Sequence, residues 1–149
     1  MSTKTYSLSD QISFEDLILI PEGEYTLAYC YHQTWFYMGS IPKLLIAFRV
    51  SDFGLHYGKP LFAYFNLRKI MGKAGKNGRF NAGWRSRFMF EYAQCFDRPK
   101  RKDRISMRPF KENFVTASIR TVTHNRNQRE YPNGLKYSVV EELLRKVEP

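Results

Sequence analysis

Cations and aromatic rings are the residues of this chain whose types and spacing best suit chemistry. Arg68, Lys69, Lys73, Lys76, Arg79, Arg85, Arg87, Arg98, Lys100, Arg101, Lys102, Arg104 and Arg108 face only Glu91, Asp97 and Asp103, so the stretch 68–108 holds the whole net charge of +10. Charge that served solubility alone would be scattered, so its concentration predicts an anionic partner. The sugar-phosphate backbone, bound with release of its counterions, fits best. The densest part, FDRPKRKDRISMRPF at 96–110, is expected to face phosphates. Aromatic residues make up 16% of the chain, with ten Tyr and twelve Phe, more than a core of this size needs. Rings beside cations suit single-stranded nucleic acid, where each base stacked on an aromatic face contributes ~1–3 kcal/mol. Tyr31, Trp35, Phe62 and Tyr64 are the expected stacking residues. The cations from 68 to 104, joined by Arg120 with His124 beside it, are the expected phosphate contacts.

Catalytic patterns do not appear. His32, His56 and His124 are far apart and match no ligand spacing, and Asp52, Glu91 and Asp97 form no recurring acidic motif. No Gly-x-Ser-x-Gly occurs, and in GKAGKNG the phosphate-loop pattern breaks because Arg79 and Phe80 follow Gly78. The chain is therefore expected to be a binding protein without enzymatic activity, cofactor or metal. Cys30 and Cys95 form no CxxC and are expected to be reduced thiols, with a bond between them left open. The first twenty residues lack a basic n-region leading into a long apolar run, no segment reaches ~18 apolar residues, and no basic helix shows a continuous apolar face. A cytoplasmic protein without a membrane partner is expected.

The elements that position these residues can be read from periodicity. With 149 residues and 43% apolar content the chain is long enough to bury one core, so residues 1–20 read as an N-terminal arm and 21–149 as one domain. EYTLAYCYHQTWFYM alternates Tyr25, Leu27, Tyr29 and Tyr31 against Thr26, Ala28, Cys30 and His32, as a strand does. KLLIAFRVSD and LFAYFNL follow as second and third strands. RKIMGKAGKNGRFNAG, rich in glycine and cations, predicts a flexible connection. WRSRFMFEYAQCF spaces Trp84, Phe88, Tyr92 and Phe96 for an amphipathic helix, which Pro99 ends. RISMRPF reads as a fourth strand and NFVTASIRTVTHNR as a fifth. After a turn at Pro132 to Gly134, a short C-terminal helix is expected from Ser138, capped through S-x-x-E. The predicted class is mainly β: an OB-fold-like five-stranded barrel with a helix between strands three and four.

Gly23 and Tyr25; Ile46, Phe48 and Val50; Gly58, Leu61, Tyr64 and Asn66; Pro109 and Phe110; Ile119, Thr121 and Val122; Pro132; and Tyr137 to Val140 together compose a pattern of strand and turn signatures over 21–145. It resembles small proteins of phages and bacterial mobile elements that are related to single-stranded DNA-binding OB domains. The resemblance implies that fold and setting and carries no catalytic residues. Composition and resemblance together lead to a sequence-tolerant binder of nucleic acid, with single-stranded DNA ahead of RNA. The alternative is a mobile-element accessory or inhibitor protein that docks on an acidic protein or in the nucleic-acid channel of a host complex.

Overall fold

The computed structural model describes residues 17–124, 128–130 and 136–148. The apolar alternation of the first half becomes three strands, β1 (Gly23–Tyr37), β2 (Ile41–Val50) and β3 (Pro60–Asn66), joined as an antiparallel meander. A small hairpin follows, β4 (Lys69–Met71) with β5 (Arg79–Asn81), then the helices α1 (Arg87–Cys95) and α2 (Arg108–Glu112). Two further strands, β6 (Val115–Val122) and β7 (Tyr137–Lys146), end the described chain. The five long strands form one antiparallel sheet in the order β3-β2-β1-β6-β7. The fold is mainly β, and this sheet does not close by a backbone ladder.

The sheet curls nonetheless. β1 serves two partners, since its first residues pair with β6 from Gly23↔Ile119 to Leu27↔Val115 and its remainder pairs with β2 up to Tyr37↔Ile41. The two outer strands, β3 and β7, are thereby brought side by side. Arg87, at the start of α1, spans this seam. Its guanidinium donates to the carbonyl of Tyr64 on β3 and to that of Glu141 on β7, each at 3.1 Å.

The core fills the inside of the curl. Leu44, Ile46, Phe48 and Val50 of β2 meet Leu61, Ala63 and Phe65 of β3 and the buried face of α1, where Phe88 packs edge-on against Phe65 and Phe80 at 5.3 Å each. Phe110 of α2, almost wholly buried, stacks on Tyr29. Ser86 caps α1 by accepting from the Met89 N–H at 3.2 Å, as the preferred side chain for that position does. Trp84 thus precedes the helix rather than riding on it.

Four expectations are corrected. Residues 105–107 of RISMRPF are irregular, and α2 begins at Arg108 with Pro109 in its first turn, where the missing N–H costs nothing. The tail from Tyr137 is strand β7 and not a helix. It completes the sheet against β6, and Ser138, instead of capping a helix, is buried with its hydroxyl between the N–H and carbonyl of Ile20. The glycine-rich connection is the structured β4–β5 hairpin. Finally, in place of the expected closed barrel the five-stranded sheet stays open; ahead of β1, Ile20 is in the core, Ile18 packs against it, and Ile18 O accepts from the Ser138 N–H at 2.7 Å. The turn expected at Pro132 to Gly134 and the first sixteen residues lie outside the described residues. Cys30 is exposed and Cys95 buried, and they are not bonded.

Candidate nucleic-acid interface

A β-bulge decides what the outer surface of the sheet looks like. Tyr29 opposes Phe48, yet Tyr31 opposes Ala47, so Cys30 is the extra residue and the alternation of β1 changes phase there. Leu27 and Tyr29 therefore face the core, whereas beyond the bulge His32 and Thr34 turn inward and Tyr31, Gln33 and Trp35 turn outward. The pairings set these residues in cross-strand rows: Tyr31, Ala47 and Phe62; then Gln33, Leu45 and Tyr64; then Trp35, Lys43 and Asn66. All four expected stacking residues share this face.

They do not share it equally. Leu45, Ala47 and Phe62 form a buried floor, and Phe62 at 7% exposure presents no open ring face. Tyr31, Trp35 and Tyr64 rise around the floor, partly exposed, and Leu17 packs beside them. Burial drives the Tyr64 phenol well above its ordinary range, with Tyr137 and Tyr31 adding to the effect, so it remains a neutral hydrogen-bonding group. The indole Nε1 of Trp35 is buried without a hydrogen-bond partner among the described residues.

The basic hairpin is fastened to the edge of this face. Past Leu27, β1 has no β6 partner, and the hairpin loop takes that open edge: Thr34 N–H donates to Gly75 O at 3.0 Å and Asn77 N–H to His32 O at 2.7 Å. The side chain of Thr34 accepts from the Gly75 N–H at 3.2 Å. Gly78 has to be glycine, because a Cβ there would collide with Thr34 Oγ1. His32 closes the joint from inside, its Nε2–H donating to Gly78 O at 2.9 Å and its Nδ1 accepting from Tyr29 at 2.8 Å. Desolvation holds this imidazole below its usual pKa and pushes the Tyr29 phenol up to about 12. So anchored, the loop carries the Lys76 ammonium over the Tyr31 ring, 5.0 Å from its centre.

The remaining expected cations fall into three groups. Arg68, Lys69, Lys73, Lys76 and Arg79 belong to the hairpin, and Lys69 and Arg79 on its strands are exposed. Arg85, Arg98, Lys100, Arg101, Lys102 and Arg104 lie around α1, and the Ala82 N–H donates to Lys102 O at 3.2 Å, which ties their loop to the base of the hairpin. Arg98 sits over the Trp84 ring at 4.3 Å, and Arg101 pairs with Asp103 at 2.8 Å. Arg87 works mainly inward, at the seam, and Arg120 stands on β6 opposite Val139, on the far side of β1 from β2 and β3. Among the described residues no carboxylate is within ion-pair distance of Arg68, Lys69, Lys73, Lys76, Arg79, Arg85, Lys100, Lys102 or Arg104.

Two cations of this face escaped the sequence reading. Lys43 borders Trp35 and bonds Asn66, with its ammonium 5.5 Å from the Tyr37 ring, and Arg49 continues the outward column of Leu45 and Ala47 on β2. Their positions on the alternating face of KLLIAFRV carried the signal. Among the described residues, no group of three or more His, Cys, Asp or Glu is placed to hold a metal ion, and no helix is long and apolar enough to cross a membrane. Compared with protein-family models, with curated proteins and with solved structures, the chain matches none.

Proposed function

We propose that the protein binds single-stranded nucleic acid with little regard to sequence, single-stranded DNA before RNA, and does so without catalysis. The observation that carries this reading is the attachment of a cationic hairpin to the edge of a sheet face rimmed by Tyr31, Trp35 and Tyr64, with Lys76 directly over Tyr31. Phosphates would run along the hairpin cations while bases meet the rings, the combination that sequence-tolerant single-strand binders use. The cations of the hairpin and of the 98–104 loop, joined through Ala82 and Lys102, lengthen the electrostatic track.

The topology supports an OB-like reading of the same fold. What supports it is the element order, with three meander strands, the β4–β5 hairpin, a helical segment and two more strands, and the sheet order β3-β2-β1-β6-β7 with β3 and β7 adjacent and bridged by Arg87, although the sheet itself stays open. With it we propose the cytoplasmic, phage- or mobile-element setting that the sequence resemblance implies.

The test is a fluorescence-anisotropy titration of labelled oligo-dT, oligo-rU and duplex DNA across a range of salt. Oligo-dT is expected to bind more tightly than duplex of equal length, with affinity falling steeply as salt rises. Failure to bind any of them, or binding indifferent to salt, would discard the proposal.

A further inference from the structure

The loop joining β2 to β3 carries the most exposed ring of the described chain. Phe53 is 96% exposed and Tyr57 61%, and the two lie parallel, 6.0 Å apart with 9° between their planes. The stack has a firm base. Asp52 accepts from the Thr26 N–H at 2.7 Å, the Val50 N–H donates to Lys59 O at 2.9 Å, and Gly54 and Gly58 adopt the positive φ that the turns need. Arg49 fixes the loop from the sheet side by donating to Gly58 O at 2.8 Å. A solvent-exposed pair of flat rings on an ordered support is a feature that core packing does not explain.

Its position suggests its use. Arg49 pairs with Pro60, and the next rows of the same face are Ala47 with Phe62, then Leu45 with Tyr64. The loop thus stands at one end of the outer face, and Lys43 and Trp35 stand near the other. Rows repeat every ~6.6 Å along a strand, a spacing that an extended single strand can follow base by base. Resting on the function proposed above, we propose that Phe53 and Tyr57 form a terminal stacking platform that takes a base of a single strand laid along β2 and β3, with Arg49 holding the adjoining phosphate.

The experiment pairs affinity with a local reporter, using unlabelled oligo-dT as the probe. Replacement of both rings (Phe53→Ala with Tyr57→Ala) is expected to weaken binding about tenfold or more while leaving the salt slope unchanged, because stacking releases no counterions. In a separate variant, Phe53→Trp, oligo-dT is expected to quench fluorescence beyond the quenching seen in the unmodified protein. A urea midpoint equal to that of the unmodified protein will show that each variant is folded. Unchanged affinity without added quenching, in a protein that still binds oligo-dT, would overturn the platform and leave the parent proposal standing. No binding by the unmodified protein would remove both.

Discussion

Arg87 and Glu91, one helical turn apart on α1, hold the outer strands of the sheet together. Arg87 Nε lies 2.5 Å from Glu91 Oε2, while Glu91 Oε1 accepts from the Leu143 N–H of β7 at 2.8 Å. The same guanidinium reaches the backbones of β3 and β7 and lies 4.6 Å from the Phe65 ring. Glu91 is only 2% exposed, and its desolvation raises the carboxyl pKa although both hydrogen bonds pull it down. Arg87→Ala would leave that carboxyl without its cation and the seam without its bridge. Urea unfolding is expected to register a loss of about 2–3 kcal/mol, below the usual range for a fully buried pair because the Arg87 side chain is half exposed. Glu91→Gln, which keeps an acceptor for Leu143, is expected to cost less; the opposite ranking would contradict the role of Arg87 as the clamp.

The hairpin depends on Gly78. An alanine there must push Thr34 aside, so Gly78→Ala is expected to cost about 1–3 kcal/mol, the range for inserting a methyl into a filled site. Amide exchange gives the more local readout. Thr34 and Asn77, whose N–H groups fasten the loop, should lose protection ahead of the β1–β2 ladder.

Removing hairpin charge should alter the salt dependence of oligo-dT binding. For Lys73→Ala with Lys76→Ala, the slope of log K against log salt is expected to become shallower by about 0.7 for each phosphate that an ammonium no longer neutralises. Weaker binding at an unchanged slope would mean that these ammonium groups do not meet phosphates.

His32 should leave a mark on stability between neutral and mildly acid pH. Its folded pKa is depressed, so between that value and the unfolded value of about 6.5 the unfolded chain binds more protons, and stability rises with pH. The contribution is complete above the unfolded pKa and is lost as pH falls toward the folded one. Urea midpoints measured from pH 7.5 down to 5 should therefore drop more in the unmodified protein than in His32→Gln. Parallel curves would show that the buried imidazole is not the responsible group.

Much of the sheet is legible in the sequence because period-two alternation over 25–29, 44–50 and 61–65 reports a face buried on one side. What is not legible depends on partners distant in sequence. VVEELL carries a helix-like pattern with a capping motif, and only pairing with β6 and the hydrogen bonds of Ser138 with Ile18 and Ile20 make it a strand. The bulge at Cys30 has no signature in the run of alternating tyrosines, so simple alternation puts Tyr31 on the face of Tyr29 when the two point to opposite sides. Glycines at 72, 75 and 78 suggest flexibility by composition, whereas they serve positive φ or close approach to β1. The aromatic and cationic character of the site is visible in composition. Its anchoring by His32 and Thr34, and the membership of Lys43 and Arg49, require the register.

The embrace of residues 18–20 by Ser138 bears on the order of events during synthesis. A ribosome delivers β1, β2 and β3 early, and they can form their meander while the rest of the chain is still being made. Ile18 and Ile20, although they emerge before any of these strands, cannot make their hydrogen bonds to Ser138 until that residue leaves the exit tunnel. Residues 18–20 are thus among the last to be secured, and a nascent chain stalled before β7 would leave Ile20, which the finished protein buries, without its hydrogen-bond partner.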